Sequence, residues 1–144
     1  MLTGAPTVRI SQTTYPINIG KTITIDCTVT SNPAYTSVYW TRQIGTNPVE
    51  TLSTTGSLST KYGGSSVVSP SLTIYNVEES DQGTYICHAT NIVGTGQSSQ
   101  AFLDVVGSMS FLFMSKMLNT LILNLFYKKK CLHEREINRP DFQP

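Results

Sequence analysis

The residues of this chain that could do chemistry are two cysteines and the aromatic and acidic residues placed around them. Trp40 lies between Cys27 and Cys87, and the run from Asp81 to Cys87 places Tyr85 two positions before the second cysteine. A thiol can oxidise, ligate a metal ion or act as a nucleophile, and its neighbours decide which of these happens. The residue types available elsewhere in the chain therefore decide between these chemistries.

Histidine is the residue type that limits catalysis in this sequence. A hydrolytic triad needs a histidine that can meet a serine or cysteine nucleophile, and the chain contains only His88 and His133. His133 lies in the C-terminal tail, and we expect His88 to face solvent from a strand. No metal-ligand spacing is present, and no glycine-rich phosphate loop precedes a helix. The sequence therefore predicts no enzyme, and no metal or other cofactor.

The first hundred residues consist of short β-rich runs separated by Gly, Pro, Asn and Ser, without a helical period. Within Thr22–Thr30, the apolar residues Ile25 and Cys27 alternate with the polar residues Thr24 and Asp26. Period-two alternation means that one face of a strand is buried and the other is wet. The predicted strands are Thr7–Ser11, Tyr15–Ile19, Thr22–Thr30, Ser37–Gln43, Val49–Ser53, Leu58–Tyr62, Ser71–Asn76, Thr84–Thr90 and Gln97–Val106, and the predicted turns include Gly63–Ser66 and Gly94–Gly96.

These features together resemble the immunoglobulin superfamily over residues 6–106. The order Cys, Trp, Cys, with a tyrosine two positions before the second cysteine, is the pattern of that fold. The segment from Ala89 to Gly94 resembles the Ala-x-Asn-x-x-Gly of the intermediate set, which hemicentin, neural cell-adhesion molecules and titin-like proteins share. The resemblance implies an all-β fold, an immunoglobulin-like Greek-key β-sandwich of two antiparallel sheets.

The resemblance also implies a disulfide between Cys27 and Cys87 that joins the two sheets, with Trp40 packed beside it. Leu72 is expected in the same core. A disulfide favours an oxidising compartment such as the secretory pathway. In titin-like cytosolic domains the same two positions stay reduced, so both compartments remain open.

A second set of core residues follows from the same resemblance. The hydroxyl of Tyr85 is expected to bond the backbone near residue 81, which ties the turn before the strand Thr84–Thr90 to that strand. Asp81 occupies a position where the family forms an ion pair with a base. Arg42 and Lys61 are the two candidates for that base, and the sequence leaves the choice open.

Strand alternation places several large side chains outward on the sheet that contains Ser37–Gln43, Thr84–Thr90 and Gln97–Val106. The outward positions include Tyr39, Thr41, Ile86, His88 and Phe102. Because three of these are large and apolar on neighbouring strands, they form a candidate partner-binding face. The alternatives are cover by a neighbouring strand or domain, and a binding site on the loops Ser31–Thr36 and Ile92–Gly96, by resemblance to variable domains.

The residues after Gly107 differ in composition from those of the predicted sandwich. Met109–Tyr127 is apolar and is followed at once by three lysines, Lys128 to Lys130, and its length matches a hydrocarbon core of ~30 Å. Within the segment 107–130 we therefore predict a hydrophobic helix that anchors the chain in a membrane. Lys116 near its middle opposes insertion, so translated non-coding sequence is the competing explanation.

Charge and the chain ends bear on location. The formal net charge is +1, and the basic excess follows the sandwich, so no nucleic acid partner is expected. Residues 1–5 are predicted to be disordered, and residues 131–144 to form a short polar tail. The first residues lack the charged and apolar regions of a signal peptide, so we expect a fragment whose secretion signal lies upstream.

These predictions favour a non-catalytic binding module of a cell-surface or extracellular-matrix protein that mediates protein recognition or cell adhesion. Its partners would be other proteins, bound homophilically or heterophilically. The alternative is a structural spacer domain of a titin-like intracellular filament protein. The Ser- and Thr-rich surface and the predicted anchor favour the first class over the second.

The two classes differ in the oxidation state of Cys27 and Cys87, which can be measured on protein from its native source. In an extracellular protein both cysteines should resist alkylation until a reductant is added, because an oxidising compartment preserves the bond. Mass analysis of alkylated protein, with and without prior reduction, gives the result. A freely alkylated Cys27 without reductant would contradict the extracellular interpretation.

Overall fold

The computed structural model describes residues 3–54, 60–107 and 118–130 of the chain. The chain divides into two units, Met1–Gly107 and Ser108–Pro144. The strands, all in the first unit, are β1 (Thr7–Ile10), β2 (Thr14–Asn18), β3 (Ile23–Ile25), β4 (Cys27–Thr30), β5 (Ser37–Gln43), β6 (Glu50–Thr51), β7 (Tyr62–Gly64), β8 (Leu72–Ile74), β9 (Gly83–Thr90), β10 (Thr95–Gln97) and β11 (Ala101–Val106), with a 3-10 helix at Glu79–Asp81. The predicted fold class, an all-β sandwich followed by a helix, is confirmed.

One layer of the sandwich is built from β1, β3, β4, β7 and β8. β1 pairs antiparallel with β4, and β8 pairs antiparallel with both β3 and β7. The predicted strand Thr22–Thr30 is thus divided into β3 and β4 at Asp26. Next to this break, the N–H of Cys27 donates to the side-chain oxygen of Ser71, 3.1 Å away. Ile25 and Cys27 are both buried, so the inward side chains of the two parts stay in phase.

The other layer has the strand order β2-β11-β9-β5-β6, with β10 also paired to β9. The pairs are antiparallel except that β2 runs parallel to β11. β9 lies at the centre, and every second residue from Gly83 to Ala89 is buried. Because side chains alternate along a strand, the side chains of the residues between them point away from the core.

The predicted strand Gln97–Val106 is observed as the last residue of β10 and the whole of β11, and a β-bulge separates these two strands. Gln97 lies opposite His88, but Ala101 lies opposite Tyr85. The last strand therefore has one residue more than its partner over this interval, which defines a bulge. Without it, Ala101 would lie opposite residue 84 and would face outward.

The extra residue decides which side chains of β11 face the core. Leu103 is fully buried, whereas Phe102 is 40% exposed. Within the bulge, Ser98 is buried and its side-chain oxygen accepts the N–H of Cys87 at 3.1 Å. This hydrogen bond satisfies a backbone donor of β9 at the point where the ladder is interrupted.

The disulfide between Cys27 of β4 and Cys87 of β9 joins the two layers, so the predicted bond is confirmed. Trp40 lies opposite Cys87 in the ladder between β5 and β9 and is fully buried. Its Nε1 donates to the carbonyl oxygen of Pro70 at 2.8 Å, which satisfies the polar end of the indole. The rest of the buried apolar core is formed by Val8, Tyr15, Ile25, Val38, Leu52, Tyr62, Leu72, Ile74, Val77, Tyr85, Ala89, Ala101, Leu103 and Val105.

The predicted turn at Gly63–Ser66 is wrong in its first half, because Gly63 and Gly64 belong to β7. Gly64 has a φ of +77°, and a Cβ there would lie 2.0 Å from the carbonyl oxygen of Ser71. Glycine is therefore needed for a close backbone approach within this layer rather than for a turn. The chain turns only after β7 ends.

The predicted hairpin turn at Gly94–Gly96 is also displaced. The N–H of Asn91 donates to the carbonyl oxygen of Gly94 at 3.0 Å, so the turn ends at Gly94, and β10 begins at the next residue. A Cβ on Gly96 would lie 1.8 Å from the carbonyl oxygen of Pro6. This glycine is required because the N-terminal segment passes directly over β10.

Other predicted strands differ in extent, and Ser71–Asn76 is observed only as β8, Leu72–Ile74. Val49–Ser53 is observed only as β6, Glu50–Thr51. Residues 55–59 lie outside the described residues, so the predicted strand Leu58–Tyr62 can be compared only at its end, where Tyr62 begins β7.

In the second unit, the described residues form the helix α1 at 118–130. The predicted helix Met109–Tyr127 coincides with α1 from residue 118 onward, and its earlier part lies outside the described residues, as does the predicted tail 131–144. Within the described part of the chain, no helix is both long enough and apolar enough to cross a membrane.

Replacing Trp40 by Ala should lower the free energy of unfolding by about 3–5 kcal/mol, because it empties a fully buried indole site. Val68→Ala is the matched control, since Val68 is 96% exposed and its loss should have little effect. Equilibrium unfolding in urea measures both variants. A loss of less than about 1 kcal/mol in the Trp40 variant would mean that the indole is not part of the stabilising core.

Candidate recognition surface

The candidate surface is the outer face of β5, β9 and β11, and the register of the ladders places its residues in rows. Tyr39 lies opposite His88, and Thr41 lies opposite Ile86. Phe102 lies opposite Thr84, one outward position along β9 from Ile86. Diagonal neighbours on one face of a sheet are about 7–8 Å apart, within reach of large side chains. The predicted residues therefore share one face, with Tyr39 and Phe102 at its two ends. This face is called the outer face.

Tyr39, Thr41 and His88 form a small cluster at one end of the outer face. The rings of Tyr39 and His88 are stacked, with centroids 4.7 Å apart and an interplanar angle of 3°. The hydroxyl oxygen of Thr41 lies 2.9 Å from Nε2 of His88. Burial lowers the pKa of His88 below its ordinary value of 6.5. The histidine faces outward as predicted from the sequence, but it is held by two neighbours rather than freely solvated.

Exposure differs among the predicted residues. Phe102 is the most exposed of them at 40%, whereas Tyr39, Thr41, Ile86 and His88 are only partly exposed. The face is therefore a shallow surface from which one aromatic ring, that of Phe102, projects. Such a surface can bind a partner without large rearrangement, because strands position its side chains.

The outer face carries little charge. Among the outward positions of β5, β9, β10 and β11, the charged residue is Asp104. The opposite face of the sandwich is rich in threonine and carries Arg9 and Asp26. Because charged residues are depleted and aromatic residues enriched at the centre of protein interfaces, the composition of the outer face suits protein recognition.

Asp81 is buried, and its carboxylate meets both of the bases predicted as alternatives. Nζ of Lys61 lies 2.6 Å from one oxygen, and Nη1 of Arg42 lies 3.4 Å from the other. The N–H of Glu78 donates to the same carboxylate at 2.8 Å, and the hydroxyl of Tyr85 donates to the Asp81 carbonyl oxygen at 2.7 Å. Burial raises the pKa of Tyr85. This network holds the turn before β9 in place.

Asn91 organises the tip of the domain, a role that was not predicted from the sequence. Its Oδ1 accepts the N–H groups of Val93 at 2.9 Å and Gly94 at 3.1 Å. Its Nδ2 donates to the carbonyl oxygens of Gly4 at 2.8 Å and Pro33 at 3.1 Å. One buried amide thus joins two loops to the N-terminal segment, which includes residues of the predicted disordered stretch 1–5. The sequence signal was present, because Asn with Gly three positions later favours such a turn.

The tip also contains the loops predicted as an alternative binding site. Ile92 is 77% exposed and Val93 is 40% exposed at the turn between β9 and β10. These two side chains project from a turn that Asn91 holds, so the tip offers a second exposed apolar surface.

Among the residues that the structure describes, no three His, Cys, Asp or Glu side chains are grouped so that they could hold a metal ion. Cys27 and Cys87 are consumed by the disulfide.

Comparison with known families identifies the family of this domain. The model of the immunoglobulin domain matches residues 5–91. The chain therefore belongs to the immunoglobulin domain family. Members of this family generally have no catalytic activity.

Individual relatives agree with this assignment. The chain is 31% identical over 97 residues to MAM domain-containing glycosylphosphatidylinositol anchor protein 2 of Mus musculus and of Homo sapiens. It is 32% identical over 97 residues to MAM domain-containing glycosylphosphatidylinositol anchor protein 1 of Gallus gallus. Each match covers 67% of this chain but only 9% of the relative, so the chain spans a small part of their length.

Solved structures show the same fold. The tandem Ig repeats of Dlar superpose with a TM-score of 0.56 at 28% identity, covering 72% of this chain and 49% of that one. A chain from a study of T cell specificity and activation by the bacterial superantigen toxic shock syndrome toxin-1 superposes with a TM-score of 0.60 at 17% identity. That match covers 71% of this chain and 100% of the other, and it bears on the fold alone.

The lowered pKa of His88 predicts that the domain loses stability in mild acid. Because the unfolded chain takes up the proton more readily than the folded domain, stability should be complete above about pH 6.5 and fall below it. His88→Gln should remove this part of the pH dependence. Urea unfolding of both proteins between about pH 8 and pH 5 measures the effect. An identical pH dependence in both proteins would show that His88 does not contribute.

Proposed function

We propose that this chain is a non-catalytic recognition module of a cell-surface or extracellular-matrix protein, and that it binds other proteins through the outer face. One observation carries the proposal: Ile86, Phe102 and the stacked pair of Tyr39 and His88 share a face with almost no charge. Aromatic and apolar anchors on a rigid strand scaffold provide binding energy at low cost in conformational entropy. Such a module would mediate adhesion by binding partner proteins through this face.

Two further observations support the cellular location in this proposal. The disulfide between Cys27 and Cys87 suits an oxidising compartment. The matched relatives are named as glycosylphosphatidylinositol anchor proteins. A titin-like spacer would need neither an oxidised pair nor an apolar face, so the recognition module is the better account.

Attachment to a membrane belongs to the same proposal. The segment Met109–Tyr127 and the lysines that follow it provide apolar and basic residues next to each other. The described part of this segment, from residue 118 onward, is helical. We infer that it holds the chain at a membrane while the sandwich binds its partner.

The binding proposal can be tested with a multimeric probe. The chain is secreted behind an added signal peptide, biotinylated, assembled on streptavidin and applied to cells that each display one surface protein, including cells that display this chain. Binding to at least one displayed protein is expected. Phe102→Ser should weaken that binding about tenfold or more, as the loss of an aromatic anchor does. Val68→Ser, on an exposed loop, should leave the binding unchanged.

Stability measurements distinguish a lost contact from a lost fold. Phe102→Ser should leave the thermal midpoint nearly unchanged, whereas Leu103→Ser, at the adjacent fully buried position, should lower it strongly. If Ile92→Ser abolishes binding and Phe102→Ser does not, the tip is the site and the outer face is not. If the wild-type probe binds no displayed protein, or if Phe102→Ser unfolds the domain, the proposal fails.

A further inference from the structure

The helix α1 exposes an apolar surface of its own. The seven large apolar side chains are between 43% and 75% exposed: Leu118, Leu121, Ile122, Leu123, Leu125, Phe126 and Tyr127. Soluble domains rarely leave so many large apolar side chains exposed within one helix. A surface of this kind needs an occupant, and the arrangement of its residues indicates which one.

The apolar residues of α1 are distributed unevenly around the helix. At about 100° per residue, Leu118, Leu121, Ile122 and Leu125 form one continuous stripe. Polar side chains recur every fourth residue on another side, at 120, 124 and 128, which are threonine, asparagine and lysine, and Asn119 lies off this line. A helix that crosses the hydrocarbon has no need for such a polar line, whereas one that lies along a surface can turn it toward water.

The charged residues at the end of α1 indicate which kind of surface the apolar stripe would bind. Three consecutive lysines, Lys128 to Lys130, end the described helix and directly follow Phe126 and Tyr127. Aromatic rings beside lysines are typical of the level where lipid headgroups meet the acyl chains, and lysine side chains reach from there to anionic headgroups.

We propose that α1 lies in the plane of an anionic lipid surface. Its leucine stripe enters the boundary of the acyl chains, and Lys128 to Lys130 contact lipid phosphates and carboxylates. A second copy of the helix packed in parallel is a poorer occupant, because it would bring six ammonium groups together at one end. Neither packing of a second copy would give the three lysines an anionic partner within α1, which has no acidic residue between 118 and 130. The inference deepens the membrane attachment in the proposed function, and it does not depend on recognition by the sandwich.

Vesicle binding by the full chain tests this directly. The chain should sediment with vesicles of phosphatidylcholine and phosphatidylserine, and weakly or not at all with pure phosphatidylcholine. Replacing Lys128, Lys129 and Lys130 by Ser should lower the partition coefficient on the order of 100-fold, since each lysine near an anionic surface contributes about a factor of five. Rising salt should weaken the binding of the wild-type chain in the same way.

Matched variants distinguish the contribution of the apolar stripe to vesicle binding from that of the polar line. Leu121→Ser with Leu125→Ser should abolish binding, whereas Thr120→Ser with Asn124→Ser, in the same helix, should retain it. Lys21→Ser, an exposed lysine of the sandwich, should also bind as the wild type does. Cys131 reports the depth of the chain end when the protein is added to preformed vesicles. Its thiol should react fully with a membrane-impermeant maleimide outside the vesicles.

Three results would overturn the inference. Equal binding to both kinds of vesicle would mean that the lysines are not what selects the surface. Protection of Cys131 until the vesicles are dissolved would mean that the chain end crosses the bilayer. Absence of vesicle binding, together with self-association that the Leu121 and Leu125 substitutions abolish, would make a second copy the occupant. None of these results affects binding of the multimeric probe by the outer face, so the two proposals fail separately.

Discussion

The disulfide between Cys27 and Cys87 joins β4 in one layer to β9 in the other, and the arrangement of the sandwich follows from it. The bond closes a loop with a sequence separation of 60, for which chain entropy predicts a stabilisation of about 4 kcal/mol. Trp40, opposite Cys87, fills the space beside the bond. With Cys87 turned inward, period two sends Ile86 and His88 outward. The position of the bond therefore also defines the outer face.

The β-bulge between β10 and β11 makes the second contribution to that face. One extra residue reverses the phase of the last strand, so that Phe102 projects outward and Leu103 enters the core. The buried hydroxyl of Ser98 compensates the interrupted ladder by accepting the N–H of Cys87. Bulges are known to redirect side chains next to functional sites. Here the bulge places Phe102, the most exposed aromatic ring of the outer face, diagonally across from Ile86.

Local patterns in the sequence were sufficient to predict those parts of the fold that depend on the alternation of inward and outward side chains along a strand. The inward phase of β4, β9 and β11, and the pairing of Cys27 with Cys87, could be predicted because each follows from period two or from the family resemblance. The predicted outward positions of Tyr39, Ile86 and Phe102 rest on the same alternation. The sequence could not decide whether Arg42 or Lys61 pairs with Asp81. Only the folded structure shows that both bases lie next to this carboxylate.

Long-range contacts account for what the sequence did not reveal. Gly96 was interpreted as a turn residue, but it permits the close approach of Pro6, which is distant in the chain, and Gly64 permits the close approach of Ser71, just before the neighbouring strand of its own layer. The role of Asn91 depends on Gly4 and Pro33, which come from two other segments. A strand of uniform polarity also gives no sign of a bulge, because Ser98 and its neighbours are all small or polar.

The most direct measurement for the central claim is NMR cross-saturation of the domain by a bound protein partner. Saturation of the partner should attenuate the signals of Ile86, Phe102 and Tyr39 most strongly, with little effect on the threonine-rich face. Attenuation centred instead on Ile92 and Val93 at the tip, or on Thr24 and Thr73 of the opposite face, would contradict the assignment of recognition to the outer face.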